Sequence, residues 1–256
     1  MILNQEYDLY QMMNEFIVVI PARLSSTRLK EKALLDLNGK SLIERVYLRT
    51  TQSNAKEVFI ATDSKKIVDH VKNFSPNVIL TSKEHKSGTD RVHECVAKLD
   101  ISDDMVIVNV QGDEPFIDPE TINKTADIIF KNKNASVGSA CTLFKDNDFN
   151  DPNNVKVYLS DSNRAINFLR NVDPIDLLKN QAKYFQHVGI YSYNYETLST
   201  FVSLPRSKNE ISESLEQLRF LDNGHEIYLV EIEELSIGID TVTDYKKALK
   251  ILEDND

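Results

Sequence analysis

The spacing of apolar positions changes from one segment of the chain to the next, and it predicts strands that alternate with helices. Phe16–Ile20 is an unbroken apolar run that ends at Pro21, which is typical of a strand buried on both faces of a parallel sheet. Lys40–Thr51 instead repeats its apolar residues at helical spacing. Further strands are predicted at Glu57–Thr62, Asn77–Thr81 and Met105–Val110, and further helices at Lys65–Asn73, Gly88–Leu99 and Pro119–Lys131. This alternation predicts an α/β fold with a doubly wound, mostly parallel sheet, in which ligands bind at the carboxyl ends of the strands.

The pattern changes after about residue 135, where strand-like segments follow one another with fewer helices between them. These strands are predicted at Ala135–Phe144, Val155–Ser160, Ala165–Leu169 and Val188–Tyr193. They predict a smaller antiparallel lobe within about 135–225, of the kind that covers a site or forms a dimer surface. Helix Glu213–Asn223, strand Ile227–Glu231 and helix Val242–Glu253 complete the chain. The polar residues 1–12 are expected to be an extension outside the fold, or the result of a start-codon choice, which leaves 13–256 as one domain.

Composition and charge narrow the class of protein. The 256 residues carry a formal net charge of −10, which argues against a broad nucleic-acid surface. No apolar run is long enough to span a bilayer, and the first residues lack the basic segment of a signal peptide. The two cysteines, Cys95 and Cys141, fit a reduced cytoplasmic protein better than a disulfide scaffold. We therefore expect a cytoplasmic protein without nucleic-acid or membrane partners, in which any anionic substrate meets a local cluster of cations.

One such cluster follows the first predicted strand. The segment 21–32 reads PARLSSTRLKEK and contains Arg23, Arg28, Lys30 and Lys32 with three hydroxyl groups between them. At the carboxyl end of a strand, these side chains and the backbone N–H groups are suited to hold a triphosphate. The alternative is a solvated basic loop.

Two carboxylates stand at other predicted strand and helix ends. Asp113 follows the apolar strand Met105–Val110 in the segment Gln-Gly-Asp, and Asp240 precedes the last helix in Gly-Ile-Asp-Thr. Mg²⁺ prefers one or two carboxylates completed by phosphates and water, so the pair predicts a magnesium site. The alternatives are a turn or cap at Asp113, and an N-cap formed by Asp240 or Thr241.

A fourth segment, Ser87-Gly88-Thr89-Asp90-Arg91, opens a predicted helix. Its N–H groups, hydroxyls and Arg91 are suited to bind a base, a ribose or a phosphate, although an ordinary helix cap explains it too. The chain contains no GxxxxGK[ST], no GxGxxG after the first strand and no GxSxG, and its five histidines show no zinc spacing. The absence of these motifs from the sequence disfavours P-loop ATPases, dinucleotide-dependent dehydrogenases and α/β-hydrolases.

Taken together, these segments resemble the 3-deoxy-manno-octulosonate (Kdo) cytidylyltransferases. The run IPARLSSTRLKEKALLDLNGKSLIERV is followed by ATD, SGTDR, VNVQGDEPFI, HVGIYSY, LEQLR and GID, from about Phe16 to Leu252. The resemblance implies a nucleotidyltransferase version of the Rossmann-like fold. It also implies a Mg²⁺-dependent enzyme, expected to be a homodimer, that transfers CMP from CTP to an acidic 2-keto sugar for lipopolysaccharide biosynthesis.

The resemblance also implies roles for individual residues. The predicted catalytic group is Arg23, Arg28, Lys32, Asp113 and Asp240, in which the two aspartates hold Mg²⁺ and the cations contact the CTP phosphates. The nucleotide would also lie against Pro21, Ala22, Ser87, Gly88, Gln111 and Gly112. The predicted sugar-binding residues are Arg170, His187, Tyr191, Glu210, Glu213 and Gln217. For Tyr191 a place in the core, and for the two glutamates an exposed helix face, are the competing interpretations.

Two segments depart from the family's usual pattern. Lys30-Glu31 stands where the family has Pro-Gly in LPGKPL, and Leu169 and Asp173 replace a serine and an apolar residue in FSRxxIP. The second departure keeps a related 2-keto sugar acid, such as 8-amino-Kdo or a nonulosonate, as an alternative substrate. A CTP-binding protein that has lost catalysis is the other alternative, and Asp113 and Asp240 argue against it.

Overall fold

Strand β1 lies in the middle of the sheet around which the chain is organised. The computed structural model describes residues 14–26, 28–144, 148–172 and 184–254. In chain order the strands are β1 (Phe16–Ala22), β2 (Asp36–Leu37), β3 (Lys40–Ser41), β4 (Glu57–Thr62), β5 (Val78–Leu80), β6 (Val106–Asn109), β7 (Val137–Thr142), β8 (Lys156–Leu159), β9 (Ala165–Leu169), β10 (Tyr184–Asn194) and β11 (Ile227–Glu231). The helices are α1 (Leu42–Thr50), α2 (Lys65–Val71), α3 (Gly88–Ala97), α4 (Pro119–Lys131), α5 (Tyr195–Ser203), α6 (Lys208–Glu213), α7 (Leu218–Asp222) and α8 (Val242–Glu253).

The order of strands along the sheet is β11-β7-β10-β6-β1-β4-β5. Strands β6, β1, β4 and β5 are parallel to one another, and β11 is parallel to β7. Strand β10 runs antiparallel between β6 and β7, and β8 and β9 extend the sheet from β10 in antiparallel pairing. The predicted doubly wound, mostly parallel sheet is confirmed. The antiparallel strands continue this same sheet, and β2 and β3 form a separate small hairpin.

Alternate residues of β1 face opposite sides of the sheet, as expected for a strand covered by helices on both faces. Val18 and Ile20 belong to one apolar core, and Ile17 and Val19 belong to the other. The first core includes apolar residues of α1, α4 and α8, and the second includes residues of α3, α5 and α7. The parallel strands are therefore fixed from both faces, and their carboxyl ends form a rigid edge.

Most predicted elements are present, with three differences. The predicted helix Glu213–Asn223 is shortened to α7, because Ser214 adopts a left-handed conformation (φ 54°) and ends the preceding helix α6, which was not predicted. Helix α5 was not predicted from the sequence. Leu48, assigned to the apolar face of the first helix, is 38% exposed.

Several expectations concern the rest of the chain. The predicted extension 1–12 and Asp173 lie outside the described residues. No helix in the described segments is long and apolar enough to cross a membrane. Cys95 and Cys141 are both buried and free.

Candidate active site

A cavity of about 340 Å³ opens at the carboxyl edge of the parallel strands. It is bounded by the ends of β1 and β6, by the start of α3, and by the residue before the cap of α8. Its lining residues are Pro21, Ala22, Arg23, Ser26, Arg28, Lys32, Ala33, His85, Lys86, Ser87, Gly88, Arg91, Gln111, Gly112, Asp113 and Asp240. All residues assigned from the sequence to the nucleotide, to catalysis and to the metal thus line one cavity, although they come from segments far apart in the chain.

Gly112 allows the ends of β1 and β6 to approach closely. A Cβ atom at this position would lie 2.7 Å from the backbone oxygen of Pro21, a separation that side chains do not tolerate. A Cβ atom at Gly88 would meet Pro21 only at an ordinary contact distance of 3.5 Å. Gly112 therefore has a packing function in shaping the cavity floor, beside any contact with a ligand.

Lys32 connects the two predicted metal ligands. Its Nζ lies 2.7 Å from Asp113 Oδ2 and 2.8 Å from Asp240 Oδ1. Burial alone would lower the pKa of Lys32, but the two carboxylates outweigh it and raise the pKa above its usual value. The side chain is only 18% exposed, so a charged ammonium is held at the edge of the cavity. Two carboxylates that converge on one cation are also suited to share a metal ion.

Arg28 forms an ion pair with the other oxygen of the Asp240 carboxylate. Its Nη2 lies 3.0 Å from Asp240 Oδ2, and both side chains are well exposed, at 60% and 47%. Thr241, and not Asp240, caps α8, because its hydroxyl accepts a hydrogen bond from Asp244 N–H in a capping box. The Asp240 carboxylate is therefore left to pair with Lys32 and Arg28.

The turn that precedes Lys32 accommodates the first departure from the family pattern. Glu31 takes the position of the usual glycine and adopts a left-handed conformation, with φ 50° and ψ 40°. Its carboxylate accepts a hydrogen bond from Lys66 Nζ at 2.6 Å. The chain thus keeps the backbone path of a glycine turn with a residue that has a side chain.

Helix α3 brings a second buried cation to the cavity. Ser87 caps the helix by accepting a hydrogen bond from Asp90 N–H at 3.1 Å. Arg91 is 4% exposed and donates hydrogen bonds to Asp63 Oδ2 at 3.0 Å and to Thr81 Oγ1 at 2.6 Å. The other oxygen of Asp63 accepts a hydrogen bond from Leu24 N–H at 3.2 Å. Asp63 therefore joins the loop after β1, which contains Leu24, to helix α3.

Glu114 is a buried carboxyl group next to Asp113. Burial is the main cause that raises its pKa, to about 7; Asp113 and Asp240 add to the rise, and a hydrogen bond from Ser236 opposes it. The Ser236 hydroxyl donates to Glu114 Oε2 at 2.5 Å. No periodicity or motif separates Glu114 from its neighbour Asp113 in the sequence, so it is absent from the predicted site residues.

The predicted sugar-binding residues lie apart from the cavity lining. Arg170 donates hydrogen bonds from its guanidinium to the backbone oxygens of Glu213 at 2.7 Å, Pro152 at 3.1 Å and Ser214 at 3.2 Å. Glu213 Oε2 accepts a hydrogen bond from Arg170 N–H at 3.2 Å. In this structure Arg170 and Glu213 join the end of β9 to the turn after α6, and their role toward a sugar stays a prediction.

His187, Tyr191 and Gln217 form one cluster. The rings of His187 and Tyr191 have centroids 5.6 Å apart, and the Tyr191 hydroxyl donates to Gln217 Oε1 at 3.3 Å. His187 Nε2 lies 2.9 Å from Ser139 Oγ. Burial lowers the pKa of His187 to about 3, so the imidazole is neutral near pH 7. The cluster consists of uncharged polar groups, which are suited to bind sugar hydroxyls.

Glu210 is engaged in a buried ion pair. It is 2% exposed, and Arg219 donates to its two oxygens at 2.7 and 2.8 Å. Arg206 Nε binds the same carboxylate at 2.9 Å, and Ser207 forms a capping box with it. The exposed helix face considered for Glu210 is therefore wrong. The ion pair fixes α6 against α7.

Glu216 is a second buried carboxyl group that was not assigned from the sequence. Burial is the largest influence and raises its pKa, while hydroxyls of Ser87 and Thr89 form hydrogen bonds with it that oppose the rise. Its Oε1 atom has no hydrogen-bond partner among the described residues. Glu216 thus lies between the start of α3 at the cavity and its neighbour Gln217 in the cluster with Tyr191.

Comparison with known proteins agrees with this geometry. The model of the cytidylyltransferase family matches residues 17–227. A 3-deoxy-manno-octulosonate cytidylyltransferase of Francisella tularensis subsp. tularensis is 41% identical over 242 residues, which are 91% of this chain and 97% of the relative. The protein of the same name from Parabacteroides distasonis is 41% identical over 251 residues, covering 94% and 99%.

A solved structure gives the same result for the fold. The CMP:2-keto-3-deoxy-manno-octonic acid synthetase, solved in complex with CTP, matches with a TM-score of 0.87 and 34% identity, over 94% of this chain and 99% of that chain. Family model, relatives and structure each extend over most of the chain. The chain therefore belongs to the cytidylyltransferase family, among the 3-deoxy-manno-octulosonate cytidylyltransferases.

Proposed function

We propose that this protein transfers CMP from CTP to 3-deoxy-manno-octulosonate and releases pyrophosphate. The observation that carries the proposal is the cavity at the carboxyl edge of the sheet, where Arg28 and Lys32 meet Asp113 and Asp240. In a chain with a net charge of −10, this local concentration of cations is suited to a polyanionic nucleotide. The relatives' names supply the identities of the nucleotide and the sugar.

The cations and the start of α3 would each hold a different part of the nucleotide. Arg23, Arg28 and Lys32 are placed to neutralise the phosphates, and an arginine binds phosphate oxygens in a two-pronged manner. Ser87 and Gly88 bring the N-terminal turn of α3 to the opposite wall. Gln111 and Gly112 supply the floor. Binding in this cavity would place the α-phosphorus near the two aspartates.

We infer that Asp113 and Asp240 hold Mg²⁺ when the nucleotide is bound. The two carboxylates already converge on the Lys32 ammonium, which shows that both are aimed at one positive centre. No group of three or more His, Cys, Asp and Glu side chains in the described residues is arranged to hold a metal, so phosphates and water would complete the coordination. The ion would neutralise charge on the phosphates and orient them for attack.

The reaction is an in-line displacement at the α-phosphorus. The anomeric oxygen of the sugar forms the new P–O bond and gives up its proton to water, and the bond from the α-phosphorus to the bridging oxygen breaks as pyrophosphate leaves with the electron pair. The protein contributes by positioning the two substrates and by neutralising charge. Lys32 is central to this, because it remains charged and can pass from the carboxylates to a phosphate oxygen.

The sugar would lie toward His187, Tyr191 and Gln217. The neutral imidazole of His187 and the amide of Gln217 are suited to the hydroxyls of Kdo. Arg170 is the predicted partner of the Kdo carboxylate. We also propose a cytoplasmic homodimer that serves lipopolysaccharide biosynthesis. Light scattering on the purified protein would test the dimer.

The test of the proposal is a product assay with defined substrates. Purified protein is incubated with Mg²⁺, CTP and Kdo, pyrophosphate release is followed, and the mass of the nucleotide sugar is measured. Parallel reactions replace CTP with UTP or ATP, and Kdo with 8-amino-Kdo or a nonulosonate. We expect CMP-Kdo to form with the highest kcat/KM. CTP binding by calorimetry without product from any sugar would instead identify a nucleotide-binding protein that lacks turnover.

A further inference from the structure

The loop Ser236–Asp240 is joined by three contacts to Asp113 and Glu114, which lie in the loop that follows the central strand β6. The Ser236 hydroxyl donates to Glu114 Oε2 at 2.5 Å, and Ile239 N–H donates to the backbone oxygen of Asp113 at 2.8 Å. Gly238 lies directly against the Glu114 carboxyl group, since a Cβ atom at this glycine would be 2.9 Å from Glu114 Oε1. The two loops that carry Asp113 and Asp240 are therefore packed on each other through Glu114.

Asp240 also has contacts of its own, since its N–H donates to Asp244 Oδ2 at 3.2 Å and its carboxylate pairs with Lys32 and Arg28. Asp240 is 47% exposed at its side chain and follows a segment that belongs to no helix or strand. The buried side chain of Ile239 anchors the segment in the core, and its N–H ties the segment to the backbone of Asp113. The Glu114 carboxyl group adds a further connection between the two loops, through its hydrogen bond with Ser236 and its packing against Gly238.

We propose that Glu114 is a positioning residue, which holds the Ser236–Asp240 loop at the distance that lets Asp113 and Asp240 converge on one cation. The inference rests on the proposed function, because it concerns the alignment of that reaction's metal ligands. Glu114 itself touches neither the cavity nor Lys32 in this structure. Its effect passes through Ser236 and Gly238 to Asp240.

Two kinds of variant separate this role from a general effect on folding. Glu114→Gln keeps the shape and the acceptor for Ser236, whereas Glu114→Ala removes both. Gly238→Ala places a methyl group against the Glu114 carboxyl group and displaces the loop from the other side. Ser236→Ala is a milder change, for use if Glu114→Ala fails to fold. Asp118→Ala, which removes the exposed N-cap of α4, is a control for a loss of stability away from the site.

The primary measurement is the affinity for CTP by calorimetry, with Mg²⁺ and with EDTA, for each variant. We expect Glu114→Ala and Gly238→Ala to weaken CTP binding by at least about tenfold with Mg²⁺ and by less than about threefold with EDTA, because only the first measurement depends on convergent carboxylates. Glu114→Gln should stay within about threefold of the wild type in both. The concentration of Mg²⁺ for half-maximal turnover should rise in the same two variants.

A double variant provides the sharpest check. In the Glu114→Ala background the carboxyl group is absent, so Gly238→Ala should add less than about twofold to the loss with Mg²⁺. The inference would be overturned if the losses of CTP affinity were additive in the double variant, or if they were equal with Mg²⁺ and with EDTA. A loss of the same size in Asp118→Ala would overturn it as well. If the wild type binds CTP but makes no CMP-Kdo, the proposed function fails, while the Mg²⁺-dependent affinities still decide the role of Glu114.

Discussion

Glu31 and Lys66 form an ion pair across the turn that leads to Lys32, with 2.6 Å between the carboxylate and the ammonium. Glu31 reaches this position with a left-handed backbone, which is unfavourable for a residue with a Cβ atom. The ion pair therefore lies at a strained backbone position, one residue before Lys32, which binds both aspartates.

We expect Glu31→Gly to stabilise the protein. Glycine adopts the left-handed conformation without strain, although it also gains freedom in the unfolded chain, so a rise in Tm of roughly 2 °C is expected. Thermal unfolding followed by circular dichroism measures it. Asn38→Gly is a matched control, because Asn38 has a similar φ of 52° but asparagine tolerates this conformation better. A fall in Tm for Glu31→Gly would mean that the contact with Lys66 outweighs the strain.

Asp113→Ala and Asp240→Ala should each reduce Mg²⁺-dependent turnover by at least about a hundredfold while the fold survives. Each change removes one of the two carboxylates that share Lys32. Steady-state kinetics at saturating CTP, sugar and Mg²⁺ measure the loss, and circular dichroism tests the fold. Near-normal turnover in either variant would remove that carboxylate from the proposed metal site.

Arg28→Ala should act mainly on CTP. Its guanidinium lies at the open side of the cavity beside Asp240, where it can reach a phosphate without moving the core. Losing one charge-assisted contact costs about 1.5–3 kcal/mol, so kcat/KM for CTP should fall by about 10–100-fold while the KM for the sugar changes little. Arg49→Ala is the matched control, because this arginine binds the Ile117 carbonyl outside the cavity. An unchanged KM and kcat for CTP would place Arg28 outside the site.

The sequence was informative wherever a local pattern determines the structure. The apolar run before Pro21 and the one before Gln111 predicted two buried strands of a parallel sheet, and parallel strands place their following loops at one edge. The structure shows that the two strands are neighbours. The shared cavity of these loops follows from that topology.

Contacts between distant side chains could not be predicted in this way. No periodicity indicates that Lys32 pairs with Asp240, 208 positions away, or that Gly238 packs on Glu114. The left-handed Ser214, which ends α6 and delays the predicted helix to α7, likewise depends on the packing of α6 and α7, because serine itself does not require this conformation. Arg170 was predicted from the resemblance, yet its backbone partners depend on where the turn after α6 lies.

His187 should make the stability of the protein depend on pH between about 6.5 and 3. Burial lowers its folded pKa to about 3 from the usual 6.5, so below pH 6.5 the unfolded chain takes up a proton that the folded chain does not. Stability is therefore present in full above pH 6.5 and falls as the pH falls, by up to about 1.4 kcal/mol per pH unit for one such group.

Between pH 7 and 5 the carboxyl group of Glu114, whose pKa burial raises to about 7, acts in the opposite direction, because the folded chain takes up its proton before the unfolded chain does. This contribution is common to the wild type and to a His187 variant, so it cancels when the two are compared. Burial would raise the pKa of Glu94, but hydrogen bonds from Lys98, the Ser82 N–H and His85 lower it to about 2 from its usual 4.5. Its contribution to stability is therefore lost only as the pH falls below about 4.5. His93, whose pKa is lowered by burial, acts in the same direction as His187, so His93→Gln serves as the comparison.

We expect His187→Gln to raise the free energy of unfolding at pH 5 relative to that at pH 7, compared with the wild type. Glutamine keeps a polar group for Ser139 but takes up no proton, so the free energy of unfolding at pH 7 minus that at pH 5 should be lower than in the wild type by about 1–2 kcal/mol. Urea unfolding at the two pH values measures this difference. A loss of stability that is the same at both pH values does not change the difference. A wild-type difference that persists in His187→Gln would show that His187 is protonated in the folded protein at pH 5. In that case a charged imidazole, and not a neutral one, would face the proposed sugar site.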